Sequence, residues 1–99
     1  MTVGLVVVSH SEKIADGAVE LAAQMAPDVM IVAAGGTEDG RIGTSLEKVM
    51  AALERAAGDS GIVVLTDLGS AVMTAESAVE FAADPESIHL ADAPLIEVL

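Results

Sequence analysis

VGLVVVSHSEKIADGAVELAAQM (residues 3–25) sets an apolar run, a titratable side chain and a helical repeat in direct succession. Val3 to Val8 is apolar apart from Gly4, the pattern of a strand buried on both faces. Ile14, Ala18, Leu21, Ala22 and Met25 then recur at the spacing of one helix face, and Pro27 lies beyond the helix end. Ser9-His10-Ser11 stands at the junction. Ser9 with Glu12 fits a capping box, which puts His10 in the first turn of that helix.

The same order repeats along the chain. Val29 to Ala34 is a second buried-strand run, followed by the Gly-rich polar loop GGTEDGRIGTS, residues 35–45. Thr44 with Glu47 fits another capping box. Leu46, Val49, Met50 and Leu53 form the stripe of a second helix, and Gly58 suits its end. Ile62 to Thr66 is a third strand. DLGS, residues 67–70, leads to a helix from about Ala71 to Ala83, which Asp84-Pro85 stops. Ser87 to Leu90 reads as a short fourth strand, and Leu95 to Leu99 as a last extended piece.

Strands alternating with helices predict an α/β fold, a parallel sheet with helices on both faces in three layers. Ninety-nine residues without linker or repeat make a single domain, residues 1–99. Ligands in such sheets bind beyond the carboxyl ends of the strands, where strand order reverses. Three segments fall on that edge: Ser9-His10-Ser11, Gly35-Gly36-Thr37 and Asp67-Leu68-Gly69-Ser70.

Composition narrows the functions open to such a rim. Sixteen acidic residues against Lys13, Arg41, Lys48 and Arg55 give a net charge of −12. Phosphate-backbone binding needs clustered positive charge, so nucleic acid and an anionic membrane surface are poor partners. A basic protein partner is favoured by charge, although acidity also serves solubility. Without cysteine there is no disulfide, thiolate chemistry or sulfur-ligated zinc, and two histidines make no persuasive metal site. No apolar run approaches the ~20 residues of a membrane span, and the N-terminus lacks the order of a signal peptide. A cytoplasmic chain is the expectation.

His10 admits two roles. A neutral imidazole at a helix N-terminus suits a phosphoryl acceptor, its phosphorylated form held by N–H groups. Alternatively it is a capping-region histidine bonded to nearby backbone. Asp67 follows the third strand as His10 follows the first. If those strands are neighbours, its carboxylate can fix the ring tautomer and leave the other nitrogen to attack. Otherwise it is a turn or cap residue. Gly69 permits close backbone approach, and Ser70 offers a hydroxyl and an N–H to a phosphate. Gly36 and Thr37 either line the site or form a flexible rim, and Arg41 either meets a phosphate or is solvated. His89 reads as structural.

The segments VVVSHSEKIADG, GGTEDGRIGTS and VLTDLGSAVMTAE together resemble the phosphotransfer subunits of phosphoenolpyruvate-dependent dihydroxyacetone kinases, the DhaM family. These share the fold of mannose-type EIIA domains of the sugar phosphotransferase system. The resemblance covers nearly the whole chain in one register. It implies strand order 2-1-3-4, with the first and third strands side by side. It implies that His10 receives a phosphoryl group from phospho-HPr and passes it to ADP held on the DhaL subunit. The ATP so formed phosphorylates dihydroxyacetone on DhaK, and no cofactor stays on this chain beyond the phosphohistidine intermediate. By the same resemblance Asp67 orients His10, while Ser11, Gly69 and Ser70 stand beside the phosphoryl group. The family points to Nε2 as the phosphorylated nitrogen and to a homodimer. Relatives continue past APLIEVL into a C-terminal helix. The DLGSA segment favours the kinase family over its alternatives, a mannose-type sugar-transporter EIIA or a phosphorylatable regulatory domain.

Overall fold

The computed structural model describes residues 3–57, 61–67 and 69–91, with the backbone alone for Ser70. Expectations for Gly58 and for Leu95 to Leu99 lie outside the described residues. In chain order the elements are β1 (Gly4–Ser9), α1 (Glu12–Met25), β2 (Ile31–Gly35), α2 (Leu46–Ala56), β3 (Ile62–Thr66), α3 (Gly69–Glu80) and β4 (Ile88–Leu90). A single 3₁₀ turn, Pro85–Ser87, leads into β4. Proline at its start matches the fixed φ of that position.

All four strands are parallel in the order β2-β1-β3-β4. The first and third strands are therefore neighbours, with Val8 opposite Thr66. Right-handed crossovers place α1 over one face and α2 with α3 over the other. Along β1, alternate side chains serve opposite layers. Val6 and Val8 join Val49, Ala52, Leu53, Ala71, Ala75 and Ala78 in the core beneath α2 and α3. Val7 is buried as well, so the central strand is apolar on both faces.

The packed face of α1 is rotated from the expected one, keeping Ala18 and Ala22 half-buried but not Ile14, Leu21 or Met25. Ala15 is its one fully buried residue among those described, whereas Leu21 is 68% and Met25 84% exposed. The cause is close approach. A Cβ on Gly35 would lie 2.6 Å from Ala15 Cβ and 2.7 Å from both Glu12 Cα and Ser11 O. Only small side chains fit between α1 and the end of β2, so the helix turns its larger residues outward. Gly35→Ala must push backbone against backbone. It is expected to cost about 2–3 kcal/mol, lowering the thermal midpoint by roughly 10–20 °C. Thermal unfolding followed by circular dichroism checks this. A fall below about 3 °C would mean that α1 lifts from β2 at little cost.

The helix starts also differ from expectation. The N-cap of α1 is Ser11, whose Oγ accepts from Ile14 N at 3.3 Å, not Ser9. Ser9 still belongs to β1, opposite Gly35. His10 therefore sits just before the cap and outside the first helical turn. The N-cap of α2 is Ser45, accepting from Lys48 N, not Thr44. Helix α3 starts earlier than expected, at Gly69, and ends earlier, at Glu80.

Candidate functional site

The connections from β1 run to α1 and β2 on one side, while β3 lies on the other. That divergence leaves a crevice at the carboxyl ends of β1 and β3. His10 leaves β1 there and Asp67 leaves β3. The two side chains meet: His10 Nδ1 lies 2.9 Å from Asp67 Oδ1. An ionised carboxylate only accepts, so against one Nδ1 is the donor, and in that tautomer of a neutral imidazole the lone pair is on Nε2. The imidazole side chain is 16% exposed and the carboxylate 5%, so the pair is largely shielded. Shielding from water strengthens a hydrogen bond between a carboxylate and Nδ1–H.

The second carboxylate oxygen is also engaged. Asp67 Oδ2 accepts from His10 N at 3.0 Å and from the buried Ser9 hydroxyl at 2.7 Å. Ser9 Oγ in turn accepts from Ser11 N at 3.1 Å. Ser9 was legible in the sequence only as a helix cap. Its true partner lies 58 positions away, beyond any local pattern.

The Gly-rich loop is tied down over this corner. Gly36 N donates to Ser9 O at 3.1 Å, and Gly43 N donates to His10 O at 2.8 Å. Thr44 Oγ1 meets Thr74 Oγ1 of α3 at 2.8 Å. Gly36 has φ +70°, a conformation that suits glycine. Thr37 and Arg41 are drawn into a turn of their own. Thr37 N donates to Arg41 O at 3.0 Å. The Thr37 hydroxyl bonds the Asp39 carboxylate and, with backbone N–H groups, lowers its pKa. Arg41 is 83% exposed and pairs with Asp39 at 3.1 Å, in keeping with the solvated alternative.

Lys48 is a site neighbour that the sequence did not mark. Its Nζ reaches Glu12 Oε2 at 2.9 Å and Gly35 O at 2.8 Å, tying α2 to the first turn of α1 and the end of β2. His89 is exposed on the edge strand β4, opposite Val63 and two strands from β1, and is not a packed structural residue. Among the described residues no group of three or more His, Cys, Asp or Glu could hold a metal ion. No helix among them is long and apolar enough to cross a membrane.

A parallel sheet in 2-1-3-4 order, with a carboxylate-paired histidine at its switch point, defines the class. The sequence matches the EIIA-man family, described as the PTS system fructose IIA component, over residues 4–99. A DhaM phosphoryl donor subunit of Listeria innocua is 44% identical over 95% of this chain and 73% of its own length. A DhaM phosphotransferase subunit of Lactococcus lactis is 39% identical over 98% of this chain and 76% of its own. The Escherichia coli donor subunit is 42% identical, but this chain spans only 21% of it. The crystal structure of EF1359, a protein of unknown function, superposes with TM-score 0.85 at 36% identity, covering 98% of this chain and 77% of that one. A designed Rossmann-fold protein, at TM-score 0.52 and 16% identity, shares the fold alone. The chain belongs to the EIIA-man family and, within it, to the DhaM phosphoryl donor subunits of phosphoenolpyruvate-dependent dihydroxyacetone kinases.

Proposed function

We propose that His10 is the phosphoryl-accepting residue and that the chain relays the group from phospho-HPr to ADP bound on DhaL. The observation that carries this reading is the 2.9 Å contact between His10 Nδ1 and Asp67 Oδ1 at the switch point. With Nδ1 committed as a donor, Nε2 presents the nucleophilic lone pair. That pair attacks the phosphorus of the donor's phosphohistidine. The new Nε2–P bond forms as the donor's N–P bond breaks, and the donor ring keeps the released electron pair. Positive charge grows on the imidazole, and the Asp67 carboxylate offsets it through Nδ1–H. In discharge, a β-phosphate oxygen of ADP attacks the same phosphorus and Nε2 recovers its lone pair. The ATP so formed serves DhaK in phosphorylating dihydroxyacetone.

The surroundings suit a phosphoryl group. Helix α3 begins at Gly69, two residues after Asp67, so its N-terminal N–H groups and positive end lie on this rim. A Cβ on Gly69 would meet nothing, which leaves open space above the helix start. The Ser70 N–H and the Ser11 hydroxyl are further donors. Ser11 Oγ accepts from Ile14 N, so its own proton remains available to a ligand. The net charge of −12 favours encounter with a donor that carries basic groups around its histidine.

Incubation with phosphoenolpyruvate, enzyme I and HPr tests the acceptance step. One acid-labile phosphoryl group, mapped to the peptide containing His10, is expected. A phosphoryl group mapped elsewhere would overturn the assignment.

A further inference from the structure

We infer that Ser9 is a positioning residue for the phosphoryl transfer proposed above, acting on His10 through Asp67. The inference rests on that reading of His10, but its geometry does not. Ser9 is fully buried at the last position of β1. A hydroxyl carries one proton and two lone pairs. Ser11 N–H points at the Ser9 oxygen, at 3.1 Å, and the Ser9 proton goes to Asp67 Oδ2 at 2.7 Å.

That bond decides which way the carboxylate faces. Oδ2 holds two donors from the end of β1, the Ser9 hydroxyl and His10 N–H. Rotation of the carboxylate plane would break both, so Oδ1 stays on His10 Nδ1. Ser11 also caps α1. The line Ser11 N–H, Ser9 O–H, Asp67, His10 therefore joins the helix start to the imidazole and holds Nδ1–H in place. Without the hydroxyl, Oδ2 loses its side-chain donor from β1, and the carboxylate is held less firmly against rotation. The ring then samples the tautomer with its proton on Nε2, which cannot attack.

Ser9→Ala removes one small polar atom and leaves His10 and Asp67 in place. It is expected to slow His10 phosphorylation about tenfold at saturating phospho-HPr, with the KM for phospho-HPr unchanged. The decisive comparison is a double-mutant cycle with Asp67→Ala. If Ser9 acts through Asp67, adding Ser9→Ala to Asp67→Ala slows transfer less than twofold further. A full tenfold further loss, or a wild-type rate for Ser9→Ala alone, overturns the inference.

The ¹⁵N resonances of the His10 ring supply a readout that needs no phosphoryl donor. Wild type should show the proton on Nδ1, and Ser9→Ala a mixture of both tautomers. An unchanged ring pattern with a lowered melting temperature would make Ser9 merely structural. If the wild-type protein accepted no phosphoryl group, the proposed function would fail, yet the ring resonances would still decide the role of Ser9.

Discussion

His10→Ala leaves the protein folded and unable to accept a phosphoryl group from phospho-HPr. The loss is complete because the substitution removes the attacking nitrogen itself, not a group that assists it. The fold survives because the histidine lies outside both β1 and α1, and its backbone bonds to Asp67 and Gly43 do not need the ring. Intact-protein mass after incubation with the donor system, beside a circular dichroism spectrum, checks both halves. Retained acceptance by a folded variant would place the acceptor on another residue.

Asp67→Ala gives the second largest effect. It slows phosphoryl acceptance by about 10- to 100-fold without abolishing it, from the roughly 1.5–3 kcal/mol typical of a hydrogen bond to a charged group. Nε2 is still present but no longer fixed as the unprotonated nitrogen. The same change strands the Ser9 hydroxyl and His10 N–H without their common acceptor. Stability should therefore fall by about 1–3 kcal/mol as well. Rapid-quench measurement of His10 phosphorylation at saturating phospho-HPr, with a denaturant melt, separates the two losses. A wild-type rate would remove Asp67 from any orienting role.

Both variants act at a place that could be found in the sequence. The apolar runs at residues 3–8, 29–34 and 62–66 mark strands because a parallel sheet buries both faces, and the observed strands begin or end within two residues of them. Placing His10 and Asp67 after such runs brought them to one rim. Their pairing needed only β1 and β3 to be neighbours, as they are.

The features that misled are those whose partners are distant. Ser9 and Thr44 each look like helix caps beside a suitably spaced glutamate. Each spends its hydroxyl across the fold instead, on Asp67 and on Thr74, and a following serine, Ser11 or Ser45, caps the helix. The apolar repeat on α1 marked a helix correctly but only part of its packed face: Ala18 and Ala22 are half-buried, while Ile14, Leu21 and Met25 are exposed. The deciding contact is with Gly35, whose bare Cα admits only Ala15. Lys48 carries no local signal for a bond to a carbonyl thirteen residues earlier. Periodicity thus located the elements, while close approach and long-range hydrogen bonds set how they meet.

The most direct test of the relay begins with the protein charged from phosphoenolpyruvate through enzyme I and HPr. After removal of the donors, DhaL carrying ADP is added, and intact mass and ATP are followed together. Loss of the single phosphoryl group from His10, matched by an equal amount of ATP on DhaL, is the predicted result. A phosphoryl group that stays on the chain in the presence of DhaL–ADP would contradict the proposed relay.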